Sequence, residues 1–162
     1  MPKKASHWIG VKPEPDKYFG FIYLITNTLT GVKYVGRKFY WVKKRKVGCK
    51  SMPTTDRQSP KWKHDCHKES DWKGYMGSSK PLTKDIKAFG KENFTFKIIK
   101  QCRSKGTLVY SEVEAIIKSG AMSSLSEEGS DGYEYYNRSC DRIRYKVPPI
   151  YHEEEALPET YN

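Results

Sequence analysis

Two tyrosines, Tyr23 and Tyr34, stand eleven residues apart within GFIYLITNTLTGVKYVGRK, the stretch from Gly20 to Lys38. A phenol set among cations can accept a proton, because nearby positive charge lowers its pKa from ~10. On an amphipathic strand the same ring is a packing group. Two carboxylates follow downstream, Glu112 and Glu114, in TLVYSEVEAIIKSG. There Val109, Val113, Ile116 and Ile117 recur at helical spacing and Gly120 supplies the stop. At ~100° per residue, Glu112 borders this apolar stripe, stacked between Leu108 and Ile116, and so can point into a site. Glu114 falls farther round, towards solvent, though by a small margin.

These groups need a scaffold. Tyr18 to Thr26 and Val32 to Phe39 are rich in aromatic and β-branched residues and read as paired strands. Between them NTLTG, Asn27 to Gly31, has turn chemistry. If Tyr23 faces Tyr34 directly, the loop is Asn27 to Thr30 and the phenols sit ~5 Å apart. A register shift of two residues keeps both on one face. GSSKPLTKDIKAFG reads as a helix, with Ser78 or Ser79 as cap, Pro81 in its first turn, Leu82, Ile86 and Phe89 as its stripe, and Gly90 as its end. NFTFKIIKQC gives a third strand through alternating Phe94, Phe96 and Ile98. The expected fold class is α/β (α+β): a small three-stranded antiparallel sheet flanked by helices. Residues 1–17 read as a leader, 18–140 as the main domain, and 141–162 as a tail.

The chain has 162 residues and a formal net charge of +11, from 30 Lys and Arg against 19 acids. Such a surface attracts polyanions, and interleaved aromatics (14% of residues, with 12 tyrosines) suit contact with phosphate and base alike. There is no apolar run of ~18 residues to cross a bilayer and no secretory signal, so a cytoplasmic protein without a membrane partner is expected. The stretch from Trp41 to Lys73 carries ten Lys or Arg against four acids, a surplus of six (10 − 4), and reads as a basic insertion. Its candidate phosphate contacts are Lys43, Lys44, Lys46, Arg57, Lys61 and Lys63, with Trp62 able to stack and Trp72 suited to the core. Lys38 joins them from the hairpin. His64, Cys66, His67 and Cys49 lack zinc-ligand spacing, and the four cysteines read as free thiols. The tail turns acidic from 151, with Glu153, Glu154, Glu155 and Glu159. It reads as a solvated end or as a nucleic-acid mimic over the basic groove.

Phe21-Ile22-Tyr23 and Tyr34-Val35-Gly36 resemble the paired signatures of the GIY-YIG nuclease family. Phe21 stands where that family has glycine, and Gly20 sits one place early. The likeness extends through SDWKGYMGSSKPLTKDIKAFGKENF, similar to phage-encoded homing-type members, and through Tyr135-Tyr136-Asn137. It spans about residues 18–140, interrupted by the insertion.

The resemblance implies an endonuclease that hydrolyses double-stranded DNA with one Mg²⁺ (or Mn²⁺), acting in the host cytoplasm if phage-encoded. Phosphodiester hydrolysis needs a base for water, a cation for the phosphate and help for the departing 3′ oxygen. By likeness Tyr23 would be the base and Tyr34 would orient the water or phosphate, although the residues leave their order open. Glu112 would hold the metal, with Glu114 in reserve, and Asn137 would bond the phosphate or the metal-bound water. The family's arginine position falls on Lys44; Arg45 lies one residue away, and Arg37 and Lys38 are the alternatives. One site per chain implies a homodimer on DNA for double-strand breaks. The competing reading is a degenerate fold that binds nucleic acid without cutting it.

Overall fold

The structure, a computed structural model, describes residues 5–43, 67–122, 134–141 and 157. Lys44, Arg45, Lys46, Arg57, Lys61, Trp62 and Lys63 lie outside the described residues, as do Cys49, His64, Cys66 and the four tail glutamates. In chain order the elements are β1 (Ile9–Gly10), β2 (Gly20–Asn27), β3 (Lys33–Phe39), β4 (Trp41–Lys43), β5 (His67–Glu69), α1 (Lys80–Phe89), β6 (Phe94–Cys102) and α2 (Lys105–Lys118). Strands β6, β2 and β3 pair antiparallel, as the alternation implies, and the leader adds β1 as a short parallel strand beside β6. Strands β4 and β5 pair with each other, so the basic insertion leaves and returns at one place.

Asn27 sets the hairpin. Its Oδ1 accepts the N–H groups of Leu29 (3.0 Å) and Thr30 (3.4 Å), and Gly31 closes the turn at a φ of 77°. Asn27 N–H donates to Val32 O at 2.9 Å, so the turn sits one residue later than direct pairing assumes. Tyr23 is therefore opposite Gly36, and Tyr34 opposite Ile25. The shift is two residues, so both rings keep one face, with centroids 6.1 Å apart.

The two faces of the sheet bury different cores. Phe21, Tyr23 and Ile25 meet Trp8, Tyr40, Trp72, Phe96 and, from α1, Leu82 and Ile86. Phe21 has a structural reason to replace glycine: it lies fully buried between Trp8 (ring centroids 5.0 Å) and Tyr40 (4.9 Å). On the other face Ile22, Leu24 and Val35 meet Cys102, Leu108, Ala115 and Ile116. Phe89, the last residue of α1, is exposed rather than part of the core.

Helix α2 begins in a capping box. Ser104 Oγ accepts from Thr107 N–H at 3.1 Å, and Thr107 Oγ1 accepts from Ser104 N–H at 3.3 Å. Its buried residues are Thr107, Leu108, Ser111, Val113, Ala115 and Ile116, so Val113 and Ile116 of the expected stripe are buried, while Ile117 is 63% exposed. The helix is thus turned by about one residue from the expected stripe. Small side chains at Ser111 and Ala115 let it lie close to the sheet.

Strand β3 would be an open edge, but residues 134–137 cover it. Lys33 N–H donates to Glu134 O (2.9 Å), and Tyr136 N–H donates to Lys33 O (2.7 Å). This segment thereby satisfies backbone groups that an exposed edge leaves free.

Candidate active site

The candidate groups meet where the two faces come together, at strand β3. Tyr34 and Lys38 project to the α1 side, and Val35 and Arg37 to the α2 side. Glu112 reaches in from α2, Tyr75 and Ser78 from the loop before α1, and Asn137 to Asp141 from the covering segment. All of these line one cavity of about 600 Å³.

The two tyrosines differ in access. Tyr34 is on the cavity wall, its hydroxyl 3.3 Å from Ser78 Oγ. Tyr23 is 1% exposed and lies behind it, its ring across Gly36. A Cβ on Gly36 would stand 2.5 Å from the Tyr23 hydroxyl, so the glycine of the second signature makes room for the tyrosine of the first. Burial raises the Tyr23 phenol well above its ordinary pKa, and the Tyr34 phenol adds to this. Burial also raises Tyr34, while hydrogen bonds from Ser78 and Tyr23 work the other way. Both phenols are neutral at rest, and the one that meets solvent is Tyr34 rather than Tyr23.

Arg37 joins the carboxylates. Its Nη1 bonds Glu112 Oε2 and, at 2.7 Å, Asp141 Oδ2. Burial raises the pKa of Glu112, Arg37 pulls it back, and Asp141 raises it further. Glu114 instead pairs with Lys118 (2.8 Å) along its own helix. Of the cation candidates, Arg37 and Lys38 line the cavity, while Lys43 is exposed at the end of β4.

Asn137 holds the edge strand. Its Oδ1 accepts Val35 N–H (2.9 Å) and its Nδ2 donates to Val35 O (2.8 Å). With both ends of the amide bonded to Val35 it clamps β3, and it also lines the cavity.

Two groups escaped the sequence reading. Tyr75 lines the cavity, packs edge-on to Tyr23 (6.1 Å) and carries the Lys38 ammonium 3.7 Å from its ring centroid. Its only signal is an aromatic between Gly74 and Gly77. Its position depends on the leader: His7 Nε2 bonds Tyr75 O (3.1 Å), and Trp8 Nε1 donates to Trp72 O (2.6 Å). Asp141 falls at the start of the stretch that reads as a tail, and nothing local marks it as a partner of Arg37.

Glu112 presents hard carboxylate oxygens to the cavity, which fits Mg²⁺ or Mn²⁺ held by few protein ligands and mostly by water. Among the described residues no cluster of three or more His, Cys, Asp or Glu forms a ready-made cage. Nor, among those residues, is any helix long and apolar enough to cross a membrane.

The family model described as "Putative endonuclease segE, GIY-YIG domain" matches residues 7–140, most of the chain. The match starts at His7 and so takes in the leader residues that hold the Tyr75 loop. No curated protein and no solved structure matches significantly.

Proposed function

We propose, from the premise that this chain belongs to the GIY-YIG endonuclease family and hydrolyses phosphodiester bonds, that its substrate is double-stranded DNA and its cofactor one Mg²⁺ or Mn²⁺. The observation that carries this reading is the meeting of Tyr34, Arg37 and Glu112 on one cavity wall at the edge of the sheet.

Glu112 would hold the metal, whose charge would neutralise the phosphate and acidify a water. Tyr34 is the phenol placed to meet the attacking water: with cations in the site drawing its pKa back down, it would first release its own proton to solvent, and the phenolate oxygen would then accept the water's proton. Tyr23 supports it from behind by a hydrogen bond. Arg37 holds the phosphate through its planar fork, which suits two oxygens at once. Water would form the new bond to phosphorus as the bond to the 3′ oxygen breaks, and that oxygen would take up a proton from solvent. Lys38, Lys80 and Arg138 also line the cavity and would grip neighbouring phosphates, giving strong salt dependence and little sequence choice.

The motif order is that of phage-encoded homing-type members, and we take the chain for one, acting as a dimer when it breaks both strands. The test is to incubate the full chain with supercoiled plasmid in Mg²⁺, Mn²⁺ or EDTA. Cleavage with metal and none with EDTA supports the reading. A shifted but uncut plasmid under all three conditions, across several plasmid sequences, favours a binding module.

A further inference from the structure

We propose that Asp141 is a positioning residue: it gives Arg37 a second seat, so the guanidinium can release Glu112 without leaving the site. The inference rests on the reading of Glu112 as the metal ligand. A single nitrogen, Arg37 Nη1, bonds both Glu112 Oε2 and Asp141 Oδ2. Arg37 therefore occupies the carboxylate that must take the cation. Two cations on one carboxylate repel each other, which favours moving Arg37 away as the metal binds.

The two carboxylates differ in a way that sets the direction. The Glu112 side chain is 14% exposed and that of Asp141 is 51% exposed. A buried carboxylate left without a counter-charge is costly, whereas an exposed one tolerates exchange. Asp141 can thus keep Arg37 at the cavity mouth while Glu112 changes partners. Its location follows from the fold. The Asn137 clamp on Val35 lays residues 137–141 beside β3, two positions before Arg37. The covering segment accordingly delivers a side chain as well as closing an edge.

The test is Mn²⁺ binding to the full chain, read from the electron paramagnetic resonance of the free ion, with folding checked by circular dichroism. Asp141→Asn should weaken Mn²⁺ about fivefold, because Arg37 then stays on Glu112. Asp141→Glu should restore binding, and Asp141→Ser should repeat the loss should the Asn variant fold poorly. In an Arg37→Met background, Asp141→Asn should change affinity less than about twofold. An equal loss in both backgrounds would make Asp141 a ligand and overturn the proposal, as would no loss in either. Glu112→Gln separates the two claims. If Mn²⁺ binding survives it, the reading of Glu112 itself falls. If binding is lost there but unmoved by Asp141→Asn, only the second seat falls.

Discussion

Gly36→Ala isolates the contact that joins the two signatures. The added Cβ would lie 2.5 Å from Tyr23 Oη, 2.6 Å from Cζ and 3.1 Å from Cε2. The ring has nowhere to go, since Trp8 (centroids 5.1 Å), Tyr34 (6.1 Å) and Tyr75 (6.1 Å) hold it. Gly36 does not belong to the positive-φ glycines, so backbone conformation is not its reason. Where a glycine's conformation suits alanine, the substitution ordinarily stabilises by ~0.4–1 kcal/mol. Here overpacking should reverse the sign and cost about 1–3 kcal/mol. For a domain of this size that is a fall in Tm of roughly 2–10 °C. Urea denaturation followed by circular dichroism would measure it. The decisive comparison is a cycle with Tyr23→Leu, which removes the ring: in that background Gly36→Ala should cost less than ~0.5 kcal/mol. A Gly36→Ala protein as stable as the parent would refute the reasoning, and so would an equal cost with and without the ring.

Further expectations follow from the site and its supports. Asn137→Ala strips both polar contacts from the Val35 backbone and should cost about 1–3 kcal/mol in urea denaturation. The His7 pKa is lowered from 6.5 to about 4, first by burial and then by the nearby Lys91 ammonium. Between those values the unfolded chain binds a proton that the folded chain does not, so stability falls as pH drops through this window. The slope stays below the ~1.4 kcal/mol per unit ceiling because the ring is partly exposed. Denaturation at pH 7 and pH 5 should show the fall, and His7→Gln should flatten it. Lys38→Ala should weaken duplex binding similarly across sequences and reduce the salt slope by about one unit, measured by fluorescence anisotropy at several salt concentrations.

The hairpin, the third strand and both helices are legible because their information is local: alternation, turn residues, caps and stops. Glu112 is legible for the same reason, lying four residues from both Leu108 and Ile116. The rotation of α2 was less so, because it depends on how closely Ser111 and Ala115 let the helix approach a sheet made elsewhere. The register was missed by two residues because Asn27 spends its side chain on the turn. Tyr75 and Asp141 carry no local mark. One is fixed by leader residues more than sixty positions away, the other by an asparagine that grips the edge strand.

Single-turnover cleavage of a labelled duplex, with duplex binding measured on the same proteins, tests the central claim most directly. The proteins to compare are the parent, Tyr34→Phe, Arg37→Met and Glu112→Gln. The account predicts that all four bind the duplex and that each substitution cuts the rate by at least about a hundredfold, as removal of a group acting on the transition state does. A Glu112→Gln protein that binds and cuts like the parent would contradict it.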